Sequence, residues 1–199
     1  MPQLGEGHPI FAAFWGRFGH RQVSRFRASV IGPAQGHVLE LGAGTGENLG
    51  AYLSAERVTL TEPDPYMLRR AEAKIRQAAL PAEIVPAAAE RLPFPDHSFD
   101  TVVATLVFCS VEDPDAAFAE VRRVLKPGGT FRFLEHVRAD TPLRAWFQDV
   151  SAPVQRWLGA GCHPNRDTLG IMSRAGFEIA DLARPNPNWP VFAGVARVK

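Results

Sequence analysis

Val38-Leu39-Glu40-Leu41-Gly42-Ala43-Gly44-Thr45-Gly46 decides how this chain is read. An apolar run ending in an acid opens into glycines at alternate positions, which is where a buried strand stops and the backbone turns tightly against a bulky neighbour. Glycine permits this because it has no Cβ and reaches positive φ at little cost. A dinucleotide fingerprint, G-x-G-x-x-G, would place its third glycine at position 47. Here position 47 is Glu47 and the third glycine is Gly46, so the pyrophosphate cradle is not matched.

Outward from the loop, strand and helix patterns alternate. Arg57 to Glu62 reads as a second strand ending in an acid. Glu62 stands 20 residues after Gly42, about the distance at which a nucleotide-binding fold sets a carboxylate for ribose hydroxyls. Glu47 to Leu53 is expected as a first crossover helix, and Asp64-Pro65 opens another through Leu80. Glu83 to Val85 is a short strand, and Thr101 to Val107 is the β-branched run of a central parallel strand. Asp113-Pro114 starts a helix that Lys126-Pro127-Gly128-Gly129 closes, and Thr130 to His136 is a fifth strand. Leu143, Trp146, Phe147, Val150, Val154, Trp157 and Leu158 follow helical spacing, with a kink expected near Pro153. Asp167 to Ala175 is the last helix. Phe177–Ala183 and Val191–Val198 are closing strands around the turn Arg184 to Pro190.

This pattern predicts an α/β protein: a doubly wound, seven-stranded Rossmann-like sheet, mostly parallel with the last strand antiparallel. It is read as one domain, 1–199, comprising an N-terminal helical lid (8–31), a nucleoside-binding core (36–137), a substrate cap between the fifth and sixth strands (140–166), and a C-terminal helix with closing strands (167–199). In the lid, Phe11, Phe14, Trp15, Phe18 and Phe26 share the segment with Arg17, Arg21 and Arg25, which are spaced four apart on one face. That face is either a solvated edge or a peripheral contact with anionic lipid.

The totals fit such a domain. The chain has 199 residues, 46% apolar and 22% charged, with a net charge of +1. Bulk charge gives no argument for nucleic acid. The two cysteines, Cys109 and Cys162, lack C-x-x-C spacing. Free thiols are expected, and no metal, since Cys109, His136, Cys162 and His163 could meet only if the cap folded over. The opening residues show no signal peptide and no run spans a membrane, so a cytoplasmic protein is expected.

Glu40 to Gly46, Glu62-Pro63-Asp64, Ala89 to Phe94, Ser98-Phe99-Asp100 and Glu120 to Gly129 agree in order and spacing. Together, over about residues 36–137, they resemble the class I S-adenosylmethionine (SAM)-dependent methyltransferases of the small-molecule type. The resemblance implies SAM as cofactor and S-adenosylhomocysteine as product. It places Glu40, Gly42, Ala43, Gly44, Gly46 and Asn48 around the methionine end, and Glu62 and Pro63 at the ribose. Ala89 and Glu90 fall beside the adenine, with Thr105 and Leu106 as the floor. Many relatives carry Asp or Asn where this chain has Ala88, so a side-chain acceptor for the adenine amino group is missing.

A narrower layer resembles the mammalian methyltransferase-like thiol S-methyltransferases: Thr105 to Val111, Glu135-His136-Val137, Trp146, Trp157 and Gly161-Cys162-His163. That branch carries an N-terminal membrane anchor, which is not expected here, and a second cysteine where this chain has His163. The implied reaction is methylation of a small apolar acceptor, best a thiol. Phospholipid N-methylation or quinone and natural-product C- or O-methylation are alternatives, as is a non-catalytic SAM-binding module. A thiol is only a few per cent ionised at pH 7, so a nearby base helps. His136, just past the fifth strand, is the first candidate base, with Glu135 to orient it; His163 is the second.

Overall fold

The computed structural model describes residues 20–158, 161–184 and 190–199, apart from the side chains of 20–25, 155, 157 and 158. The elements are α1 (His20–Ile31), β1 (Gln35–Leu41), β2 (Ser54–Thr61), α2 (Pro65–Ile75), β3 (Ala82–Val85), β4 (Phe99–Thr105), α3 (Pro114–Val124), β5 (Leu125–His136), α4 (Pro142–Leu158), α5 (Thr168–Arg174), β6 (Phe177–Ala183) and β7 (Val191–Val198). One sheet takes them in the order β3-β2-β1-β4-β5-β7-β6. β1 to β5 pair in parallel, and β7 is antiparallel to both β5 and β6. The chain therefore winds outward in two directions from the β1–β4 boundary. Loops leaving those two strands diverge there and open a crevice at the carboxyl edge of the sheet.

The central strands read as continuous apolar runs because both of their faces are covered. Val38, Leu39, Leu41, Val102, Val103 and Ala104 are all inaccessible to solvent. One face carries an aromatic core of Phe108, Phe118, Phe131, Phe133 and Phe177, in which Phe108 stacks on Phe118 at 4.0 Å between centroids. The other face is aliphatic: Val30 and Ile31 of α1 lie over Val38, Val58, Leu60, Val103 and Leu134. The guanidinium of Arg132 also donates to Val30 O at 3.2 Å, tying α1 to β5. Helix starts follow the expected chemistry. Asp64 caps α2 by accepting from the N–H groups of Tyr66 and Met67, and Asp113 caps α3 by accepting from Ala116, each followed by a first-turn proline.

Three expectations change. The crossover helix expected over 47–53 is a single 3-10 turn, Leu49–Ala51. Only seven residues separate Gly46 from β2, one of them Gly50, and the flanking Asn48 and Tyr52 turn their side chains onto Glu40 instead. α2 ends at Ile75, short of Leu80, and β5 begins at Leu125, directly after α3. α4 runs to Leu158 with Pro153 inside it. α4 does not bury its apolar stripe. Ala145, Gln148 and Ala152 face inward, whereas Leu143, Trp146, Phe147, Val150 and Val154 are exposed, Leu143 by 76% and Trp146 by 60%. Phe11, Phe14, Trp15, Arg17 and Phe18 of the expected lid lie outside the described residues, as do 185–189 of the last turn. No helix among the described residues is long and apolar enough to cross a membrane.

Phe118, fully buried between Phe108 and Phe131, leaves a cavity that its ring-stacked neighbours cannot close. Phe118→Ala lowers the unfolding free energy by about 3–5 kcal/mol, measured by urea denaturation.

Candidate functional site

The crevice begins with the turn after β1. Gly42, Gly44 and Gly46 have φ of 53°, 57° and 74°, the left-handed region that side chains strain to adopt. At Gly42 a Cβ would also stand 2.8 Å from Val107 Cγ2, so this glycine lets the turn after β1 touch the turn after β4. The loop is fastened to β2 as well: Ala43 N donates to Thr61 O at 2.9 Å, and Gly44 N donates to Glu62 Oε2 at 2.8 Å.

Two acids line the loop. Glu40 is 1% exposed; Tyr52 Oη donates to it at 2.6 Å and Asn48 Nδ2 at 2.8 Å. Burial pushes its carboxyl up to about 7, against the pull of those two donors and of the Arg27 charge. The same Asn48 Nδ2 reaches Thr105 Oγ1 at 3.0 Å, while Asn48 Oδ1 is buried with no hydrogen-bond partner among the described residues. Glu62 accepts from Gly44 N and, at 2.9 Å, from Asp64 N. Its carboxyl is also raised, by burial first, with those two N–H groups opposing.

After β4 the backbone turns through Leu106 at φ 60°, a costly conformation for a leucine. It is held by Leu106 N donating to Leu134 O at 2.8 Å. Glu135, wholly buried, accepts from Val107 N at 2.9 Å. Its carboxylate therefore fixes this turn rather than hydrogen-bonding to His136, since adjacent strand residues project to opposite faces. Burial raises the Glu135 carboxyl to about 7, while the N–H groups of Val107, Phe108 and Cys109 and the charge of His136 hold it down.

The cap is tied across this edge by polar side chains. Gln148 Nε2 donates to Val137 O and Pro164 O, at 3.1 and 2.8 Å, and its Oε1 accepts from Ala139 N. Arg166 Nη1 donates to Phe108 O and Val111 O, Thr168 Oγ1 donates to His136 O, and His163 N donates to Cys109 O at 2.6 Å. The cap has folded over, and Cys109, His136 and Cys162 meet, with one ligand-type atom from each lying within 4.8 Å of the others. Cys162 Sγ is 3.7 Å from His136 Nδ1. The hydrogen bond between the two thiols, with burial, raises Cys109; the same hydrogen bond lowers Cys162 against the opposing effect of its burial. Burial pulls His136 down, but its contact with Cys109 and the Glu135 charge outweigh it. His163 does not join the group through its ring. Its Nδ1 lies 3.2 Å from Arg166 Nη2, a donor only, which claims that lone pair.

Of the residues expected around the adenine and ribose, Ala89 is buried, Glu90 Oε1 accepts from Glu112 N at 2.9 Å, and Pro63 and Ala88 are exposed and half-buried respectively. Tyr52, Gln148 and Arg166 were missed by sequence reasoning. Tyr52 reads as one more apolar residue, and Gln148 and Arg166 carry no motif.

The sequence pattern of the family described as "Methyltransferase domain" matches residues 39–133. The chain is 36% identical over 156 residues to the human thiol S-methyltransferase TMT1B, covering 75% of this chain and 63% of that protein, so it spans under two thirds of that relative's length. It is 33% identical over 173 residues to the ubiquinone/menaquinone biosynthesis C-methyltransferase UbiE of Cupriavidus necator, covering 83% of this chain and 71% of that one. A SAM-dependent methyltransferase structure from Aquifex aeolicus superposes with a TM-score of 0.66 at 15% identity, over 96% of this chain and 98% of that one, a likeness of fold.

Glu40 makes a pH-dependent contribution. Its folded value of about 7 exceeds the ordinary 4.5 of an exposed glutamate, so its contribution to ligand-free stability is full below 4.5 and falls away as pH climbs to 7, by roughly 3 kcal/mol in all. Glu40→Gln flattens this part of the profile. Urea unfolding at pH 5 and pH 8 shows a smaller difference in the variant than in the wild type.

Proposed function

The chain belongs to the SAM-dependent methyltransferase family, and we propose that it methylates the sulfur of a small, apolar thiol. The observation that carries this reading is a juxtaposition. A nucleoside-type loop and a sulfur–imidazole group, Cys109, His136 and Cys162, share the crevice at one sheet edge. The likeness to thiol S-methyltransferases supports the same acceptor.

The residues present fit the cofactor. Asn48 Oδ1 is a buried acceptor lacking a donor, set beside the Glu40 carboxylate, as a methionine ammonium requires. Gly42, Ala43, Gly44 and Gly46 let the cofactor approach the backbone. Glu62 keeps lone pairs for two ribose hydroxyls beyond its two N–H partners, with Pro63 beside it. Ala89 and Glu90 flank the adenine, and Thr105 and Leu106 form the floor. When bound, SAM supplies an activated methyl group: the acceptor–carbon bond forms as the carbon–sulfonium bond breaks, its electron pair leaving with S-adenosylhomocysteine. The chain's own part is alignment in a dry pocket, which by itself supplies roughly 7–11 kcal/mol. His136 is the side chain proposed to activate the acceptor; Glu135 positions the turn that carries Cys109. His163, its Nδ1 taken by Arg166, is proposed to hold the cap in place through its backbone bond to Cys109.

A second reading is C-methylation of a quinone-type ring, favoured by the likeness to UbiE across 83% of the chain. The exposed apolar stripe of α4 would then face the lipid in which such acceptors dissolve.

Labelled SAM incubated with thiols, phenols, quinols, amines and phospholipid vesicles separates these readings. Methyl incorporation is expected into apolar thiols first; labelling of quinols with thiols untouched overturns the proposal. His136→Ala lowers kcat on the best thiol on the order of 100-fold while cofactor affinity, by titration calorimetry, stays within twofold. Ala88→Asp restores an acceptor for the adenine amino group and tightens cofactor binding by about tenfold; unchanged affinity removes that role for position 88.

A further inference from the structure

Cys109 lies on the turn after β4, His136 ends β5, and Cys162 stands in the loop after α4. Nothing in their spacing suggests a ligand set, yet the folded cap brings one atom from each within 4.8 Å of the others. A tetrahedral cation with metal–sulfur bonds near 2.3 Å and metal–nitrogen bonds near 2.0–2.1 Å needs ligand separations of about 3.6 Å for S···N and about 3.8 Å for S···S. The observed Cys162 Sγ to His136 Nδ1 distance is 3.7 Å. One edge of the group therefore already has the length such a site needs, the other two are within 4.8 Å, and both cysteines are present as free thiols.

The surroundings hold these ligands from behind, as metal sites require. His163 N fixes Cys109 through its carbonyl, Arg166 fixes the neighbouring Phe108 carbonyl, and Thr168 fixes that of His136. Glu135 Oε2 is buried and lacks a hydrogen-bond partner among the described residues. Two thiolates also neutralise a dication, which makes a buried charge tolerable. Two sulfurs and an imidazole select a thiophilic ion over calcium or magnesium, and three protein ligands leave a fourth position open, the pattern of catalytic rather than structural sites.

We propose that Cys109, His136 and Cys162 bind one thiophilic divalent cation, of which zinc is the type, and that its open position receives the sulfur of the acceptor. The second half rests on the thiol reading above. It assigns His136 the task of a ligand. The acceptor S–H bond breaks as the sulfur binds, its proton passing to solvent, so the sulfur is presented as a thiolate. After methylation the product is a neutral thioether, a weaker donor, and departs.

The test uses the full-length chain, reduced and stripped with a chelator, then titrated with zinc against a chromophoric competitor and with cobalt(II) as a spectroscopic probe. One equivalent is expected to bind, with the visible absorption of tetrahedral cobalt and a sulfur-to-cobalt charge-transfer band. Cys162→Ser, on the half-exposed loop, is expected to weaken zinc binding by about 100-fold with its circular dichroism unchanged. Cys109→Ser is the independent check from the other side of the site. Absence of stoichiometric binding by the reduced wild type, or equal binding in both variants, overturns the site. A stripped protein that binds no zinc yet methylates thiols at full rate removes the cation and leaves the thiol reading standing. A protein that binds one zinc through these residues but methylates no thiol keeps the site and removes the acceptor from its fourth position.

Discussion

The crevice depends on a close approach between two turns that leave neighbouring parallel strands. β1 and β4 are hydrogen-bonded partners, and the chain leaving each must rise without blocking the other. After β1 this is solved with glycines at positive φ, one of them so near Val107 that a methyl group would collide. After β4 it is solved with a leucine held in the same region of backbone space. A leucine persists there because its surroundings over-determine it: Leu134 O takes its N–H, and the Glu135 carboxylate takes that of the next residue. The turns that leave the two strands are thus two products of one steric constraint.

Buried acids are the electrostatic counterpart. Glu40 and Glu62 are both below 7% exposed and both raised by burial. Neither has a formal salt bridge among the described residues; each is held by neutral donors, a phenol and an amide for Glu40 and two backbone N–H groups for Glu62. Acids arranged in this way favour a ligand that brings its own donors, because its ammonium and hydroxyl groups stabilise the charged form that burial disfavours.

The cap works by a different logic. α4 is joined to the sheet edge through Gln148, whose amide makes three hydrogen bonds to three separate backbone groups, and through the paired Arg138 and Asp149. Polar clasps, rather than the apolar stripe, decide which way the helix faces. They leave Trp146 and Phe147 in solvent and draw the loop carrying Cys162 down onto His136.

Most of the architecture was legible in the sequence. The doubly wound sheet follows from alternating patterns, and Asp-Pro starts and glycine turns are local signals that physics reads over a few residues. The glycine turn after β1 and the acid after β2 were legible for the same reason, being tied to strand ends by short spacing. Several features were not. A 3-10 turn replaced a helix because Asn48 and Tyr52 were claimed by Glu40, a partner from the preceding strand. α4 exposed its apolar stripe because a glutamine found backbone partners far along the chain. Cys109, His136 and Cys162 became one group although 26 or 27 residues separate successive members. The sequence by itself determined the sheet, its turns and the glycine turn at the crevice, since those rest on local backbone preference and periodicity. Only the tertiary structure decided what stands opposite, because that side is assembled by hydrogen bonds between segments whose proximity no local pattern encodes.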